Sequence, residues 1–491
     1  MSCLGVAVSV LLVLGAEGCA RSGPQGRPGN PKVVVLGFAG LDAGVVRELL
    51  DAHAMPELER IVARGTFRAL TPLAATDPAA RWSSFATSRD RGSSAASDLT
   101  LEPPVLFAGF LLRGPRAHAS RPEESFWETA DRRGKTVVGL ALPYEFPPAR
   151  LTHGRTLSGI GVPDLPGGDR FTYLTTAEPP SGPGACSRDD ANACAPDEGG
   201  GGGASAEESI APRDGTVVHL GWREGRIETA LGGPQLPGRA PLELPLSIRR
   251  RPEGGVLLEL GGDDRVLLPG EWSDWFRVRF PVTHGYGISA ICRFYLVRDA
   301  PDLGLYLSPL SYDPSAPYIP ISSPEGFSAS LAGALGEFGS SGWTAEDAAF
   351  RAGLLPELGL VEELTGRMRF SRALTLHEID LRDAELVVSV FSATEGLGRA
   401  FSGDDEASRE VMHRTYLAVD QIVGDVARHL PDGARLIVFS DRAASASTGR
   451  GFLGTSFRLR DGDASLLDIA PTVLTLLGVA APPSYEGHAL D

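Results

Sequence analysis

The chain has 491 residues, 42% of them hydrophobic and 22% charged, a globular balance in a length too great for one ordinary core. One large α/β domain with a sizeable insertion is expected. A formal net charge of −16 argues against a nucleic-acid partner, because a phosphate backbone demands a basic surface; the charge serves solubility.

Residues 4–15 form an apolar run of signal-peptide length, too short to span a bilayer. The stretch that follows, Leu14-Gly15-Ala16-Glu17-Gly18-Cys19, is similar to a bacterial lipoprotein cleavage site. Residues 1–19 therefore read as a leader and residues 20–31 as a flexible tether. The expectation is an exported protein, periplasmic or held at the membrane by a lipid on Cys19. A plain cleaved signal or a mis-assigned start is the alternative. Cys186 and Cys194, close together in a polar loop, are candidates for a disulfide in an oxidising compartment, and Cys292 reads as a buried free thiol.

In chain order, residues 32–36 form a β-branched, continuous apolar run, a buried parallel strand. A turn at 37–40 follows, and Asp42 is placed to cap the next helix. Pro56 opens another helix that Gly65 closes. Residues 126–133 read as helix and 136–142 as strand. Residues 32–175 thus alternate strand and helix, the pattern of a doubly wound sheet with helices on both faces. Residues 176–214, with five consecutive glycines from Gly199 to Gly203, read as a disordered loop. Residues 215–345 read as an inserted, antiparallel β-rich region, with runs at 216–220, 256–260, 276–280 and 288–296. Residues 323–366 look helical and irregular. The α/β pattern returns in 346–491, with strands at 385–391 and 435–440 and helices at 408–430 and 466–477.

Chemistry in an open α/β sheet gathers at the carboxyl ends of strands. Three such ends are legible: Gly37-Phe38-Ala39-Gly40-Leu41-Asp42, then Ser392 to Arg399, then Ser440-Asp441-Arg442-Ala443. Trp82-Ser83-Ser84-Phe85-Ala86-Thr87, Phe126-Trp127-Glu128, Pro143 to Pro148, Trp272-Ser273-Asp274-Trp275, Leu466 to Thr472 and Tyr485 to Leu490 complete a set of landmarks. Together they resemble the phosphodiesterase and nucleotide pyrophosphatase branch of the alkaline phosphatase superfamily over residues 32–491. The resemblance implies that superfamily's fold and a mechanism in which two metal ions, usually zinc and about 4 Å apart, activate a Ser or Thr nucleophile and hold the phosphoryl oxygens.

The positions that the resemblance assigns to metal ligands are degenerate. Ala39 stands for the first Asp, Glu395 for the second and Arg399 for a His; Asp441 is retained and Arg442 stands for the His beside it. Ala39 and the arginines cannot ligate a cation. The family's remaining His belongs near 447–453, which holds Arg450 instead. None of the nine histidines falls at a strand end that carries the metal motif. Pro78 stands where the nucleophile belongs, with Thr76 the nearest hydroxyl upstream. No resident metal or other cofactor is expected; two zinc or manganese ions enter only if the chain is an enzyme after all.

Three readings follow. The first is a catalytically inactive homologue in which Arg399, Arg442 and Arg450 neutralise Glu395 and Asp441 and leave an Arg-lined pocket for a small phosphoester or sulfate. Drift of these arginines to solvent weighs equally. The second is an active phosphoric ester hydrolase with a non-standard metal site. The third is an envelope lipoprotein that binds a protein or glycan.

Overall fold

The computed structural model describes residues 30–75, 77–90, 99–107, 110–119, 123–168, 170–178, 215–283, 285–442 and 449–491. Thr76, Cys19, Cys186 and Cys194, together with most of the leader, tether and 176–214 loop, lie outside the described residues.

The run read from residues 32–36 is the strand Val33–Phe38, buried along its whole length. Its side chains alternate between two cores: Val34, Leu36 and Phe38 join one apolar cluster, Val33, Val35 and Ala39 the other. A strand packed on both faces cannot tolerate a polar alternate position, so its sequence is a continuous apolar run. It pairs in parallel with Leu386–Phe391 on one side and with Arg435–Phe439 on the other, Val33 lying opposite Leu386 and Arg435.

Around this centre an eight-stranded sheet runs in the order Thr66–Ala69, Phe452–Thr455, Arg435–Phe439, Val33–Phe38, Leu386–Phe391, Val137–Leu142, Arg155–Ser158, Ser322–Ser323. The five inner strands from Arg435–Phe439 to Arg155–Ser158 are parallel, and antiparallel pairing continues the sheet beyond them on both sides. The protein is therefore mixed α/β. Helices Pro56–Arg64, Glu357–Asp380 and Glu406–His429 feed one cluster, and Pro78–Thr87, Phe126–Arg132 and Ile469–Leu476 the other, so both faces are covered. Asp42 caps the helix Ala43–Asp51 as expected, its Oδ1 accepting from Gly44 N at 2.7 Å and Val45 N at 3.1 Å. No described helix is long and apolar enough to cross a membrane.

The inserted region forms three small sheets, one of them a meander of Arg226–Gly232, Glu243–Arg250, Val256–Leu260 and Asp263–Leu267. Two expectations need correction here. The pairing is not wholly antiparallel, since Gly215–His219 runs parallel to Phe171–Thr175. The apolar run at 288–296 is not one strand: Tyr286–Cys292 and Phe294–Arg298 belong to different sheets and meet at Arg293, whose charge is drawn inward by a buried carboxylate. The irregular helical stretch at 323–366 resolves into Phe327–Leu335, Thr344–Arg351 and the start of the 24-residue helix Glu357–Asp380. Cys292 is a buried free thiol, and burial pushes it up to about 12.

Candidate functional site

The turns after the three central strands are laced together. Ala39 N donates to Phe391 O at 3.1 Å, and Thr394 Oγ1 donates to Ala39 O at 2.6 Å. Gly40 turns the chain with a positive φ of 82°, and its N–H donates to Asp441 Oδ1 at 3.1 Å. Leu41 N donates to Ser440 Oγ at 2.9 Å. Ala39, Asp441 and Glu395 therefore converge, although Ala39 lies roughly 350 to 400 residues before the other two along the chain, because adjacent parallel strands end together.

A fourth group enters from the helix Pro78–Thr87, which starts at Pro78 and is capped by Asp77 accepting from Ala80 N at 2.9 Å. Trp82 and Phe85 press that helix onto the sheet, against Phe439. Arg81, only 6% exposed, is thereby carried over the strand ends. Its Nε donates to Asp441 Oδ2 at 2.8 Å, and its Nη2 lies 3.8 Å from Glu395 Oε1. Both Asp441 oxygens are thus engaged, one by a backbone amide and one by a guanidinium.

The pair of carboxylates carries more negative charge than one guanidinium cancels. Burial and the Asp441 carboxylate together push Glu395 up to about 7, against the pull of Arg81, Arg399 and Arg442. Tyr144, in the turn after Val137–Leu142, feels the same field: burial first, then the Glu395 charge, push its hydroxyl up to about 12. Tyr144 adopts a left-handed φ of 54°, held by its N–H donating to Ile160 O at 2.6 Å.

Of the three arginines expected around the carboxylates, Arg399 and Arg442 lie near enough to pull on Glu395, but the close pairing to both carboxylates is made by Arg81. Arg399 lies over the Trp343 ring at 5.5 Å with its Nη2 3.9 Å from Asp347. Arg450 is turned to the backbone, its Nε donating to Leu70 O at 3.0 Å and its Nη2 to Ala69 O at 3.4 Å. Arg442 is exposed beside Asp441. The neutralising guanidinium is Arg81, which sequence reasoning passed over. Its signal was present: a charged residue in the middle of a helix of apolar and small residues needs a buried partner. Ser84 is an ordinary helical hydroxyl donating to Ala80 O at 2.9 Å.

These residues do not fit a pair of divalent ions. Arg81 occupies the space between the carboxylates, both Asp441 oxygens already accept hydrogen bonds, and among the described residues no three His, Cys, Asp or Glu side chains converge to hold a metal. The described histidines that make side-chain contacts do so elsewhere, as with His429 against Asp380 at 3.0 Å and His153 against Asp131. No family model and no curated protein matches the sequence.

Proposed function

We propose that this chain is a catalytically inactive relative of the metal-dependent phosphodiesterases of the alkaline phosphatase superfamily, exported as a lipoprotein, with a guanidinium in place of the metal centre. The observation that carries the reading is Arg81 seated between Glu395 and Asp441. A guanidinium is permanently charged and forks between carboxylates as a metal ion would bridge them, but it has no open coordination position for a substrate oxygen or an activated water. Of the three arginines considered for an anion, Arg399 and Arg450 have partners within the fold, which leaves Arg442 for a phosphoester or sulfate.

A second reading is a hydrolase with a rearranged site, favoured by one feature. A carboxyl group pushed up to about 7 beside an ionised neighbour is suited to general acid–base work at neutral pH.

Metal content and hydrolysis of bis(p-nitrophenyl) phosphate, assayed on the same purified full chain with and without zinc or manganese, separate the two. The inactive reading expects no stoichiometric metal and no turnover above a Glu395→Gln variant. Turnover that Glu395→Gln abolishes would overturn it and establish the hydrolase.

A further inference from the structure

A second cluster of buried charge lies where the inserted sheets meet the α/β domain. Arg293 stands over the rings of Trp272 and Trp275, 4.6 and 4.7 Å from their centroids, and its guanidinium contacts Glu363. Arg367 Nε donates to Glu363 Oε1 at 2.7 Å and its Nη1 to Ser341 O at 2.8 Å, while its Nη2 is 3.8 Å from Glu346. Glu363 and Glu346 side chains are each 1% exposed. Two guanidiniums thus face two carboxylates, and the cluster is electrically closed.

Its Arg293, Glu363 and Arg367 help to line a cavity of about 210 Å³, with Trp275, Phe338, Phe370, Ser340 and Gly366 among the other wall residues. It reaches Ser392 and Ala393 at the end of the Leu386–Phe391 strand. Three features describe its occupant. An ionic ligand would bring uncompensated charge into a site whose own charges already cancel, whereas a neutral one would not. Ser340 is buried, and its hydroxyl has no hydrogen-bond partner among the described residues, so it is a polar group available to pair with a guest. Gly366 lies in the middle of the helix Glu357–Asp380, where glycine is disfavoured. A Cβ added there would meet only Arg369 Nη2, at 3.9 Å, so this point of the cavity wall has room for a side chain. An apolar cavity of about 150 Å³ is enough for benzene.

We propose that this cavity binds an uncharged molecule of one ring, aromatic or alicyclic, bearing a hydroxyl or carbonyl that pairs with Ser340. The site is independent of the Arg81 cluster, since neither Arg81, Glu395 nor Asp441 lines it. The probes are benzyl alcohol and benzoate, which share a ring and differ in charge, titrated against the full chain with saturation-transfer NMR and Tm as readouts. Benzyl alcohol is expected to bind saturably and raise Tm, with benzoate at least about tenfold weaker. Gly366→Leu, which fills the space without a clash at Cβ, is expected to fold and lose the binding. Ser340→Ala is expected to weaken it several-fold and carries the test if Gly366→Leu does not fold. The proposal is overturned if benzyl alcohol shows no saturable binding, the cavity then holding only water. It is equally overturned if benzoate binds as well, or if folded Gly366→Leu or Ser340→Ala binds as tightly as the parent.

Discussion

Two buried charge clusters lie on either side of the Leu386–Phe391 strand end, and they are balanced differently. Around Arg81, one guanidinium is held between two carboxylates. Around Glu363, two guanidiniums face two carboxylates. A carboxylate can shed surplus charge by taking a proton, whereas a guanidinium cannot release one. The first cluster therefore completes its balance with a proton on Glu395, which is pushed up to about 7, and its state follows pH. The second is complete as folded.

The contrast is easiest to break at the closed cluster. Glu363→Ala strands the guanidiniums of Arg293 and Arg367 beside each other and should cost about 3–5 kcal/mol, read from urea unfolding at pH 7. A loss below about 1 kcal/mol would mean that the pairing is idle. Next in size is the pH response of the open cluster. Glu395 is pushed from 4.5 up to about 7 on folding, so the folded chain holds its proton more tightly than the unfolded one. The stability this gives is full below about pH 4.5 and is lost as pH rises through about 7, a change of about 3 kcal/mol. Glu395→Gln should remove that component. Urea midpoints of parent and variant measured from pH 4.5 to 8 should converge at the acid end and separate in the variant's favour at the alkaline end. Arg81→Met should cost about 2 kcal/mol at pH 8 and less at pH 6, where the Glu395 proton already relieves the repulsion. An equal loss at both values would sink the idea that the proton supplies the missing counter-charge. The smallest effect is expected from Arg450→Met. It removes donors to Leu70 O and Ala69 O, should cost about 1 kcal/mol, and should leave sulfate binding by equilibrium dialysis unchanged.

The central strands were legible because burial on both faces forces an apolar run, unbroken in Val33–Phe38 and interrupted in Leu386–Phe391 only by Ser389, whose hydroxyl pairs with Thr375. The half-buried edge strand Thr66–Ala69 has no such run, and neither does short Arg155–Ser158, which begins with an ion-paired arginine. The long helix Glu357–Asp380 read as irregular because its buried face includes Glu363, Thr375 and Glu378, which blur the apolar period. At the site, Glu395 and Asp441 could be placed from the rule that chemistry gathers at strand ends. Arg81 and Tyr144 could not, because they reach the carboxylates from a helix and a turn that are neighbours only in space. The motif positions pointed to Arg399 and Arg450, whose side chains find nearer partners in Trp343 and in backbone carbonyls.

The central strand also sets a timetable. The sheet partners of Val33–Phe38 begin at Leu386 and Arg435, about 350 and 400 residues later in the chain. At about 5–20 residues per second, its six apolar residues wait roughly 20–80 s before either neighbour exists. Nothing local can pair with it meanwhile, and long-range parallel pairing is slow in any case. A newborn chain of this design must hold its central strand without its sheet neighbours over that interval, so its yield should depend on whatever keeps that segment apart from other chains until Leu386–Phe391 and Arg435–Phe439 arrive.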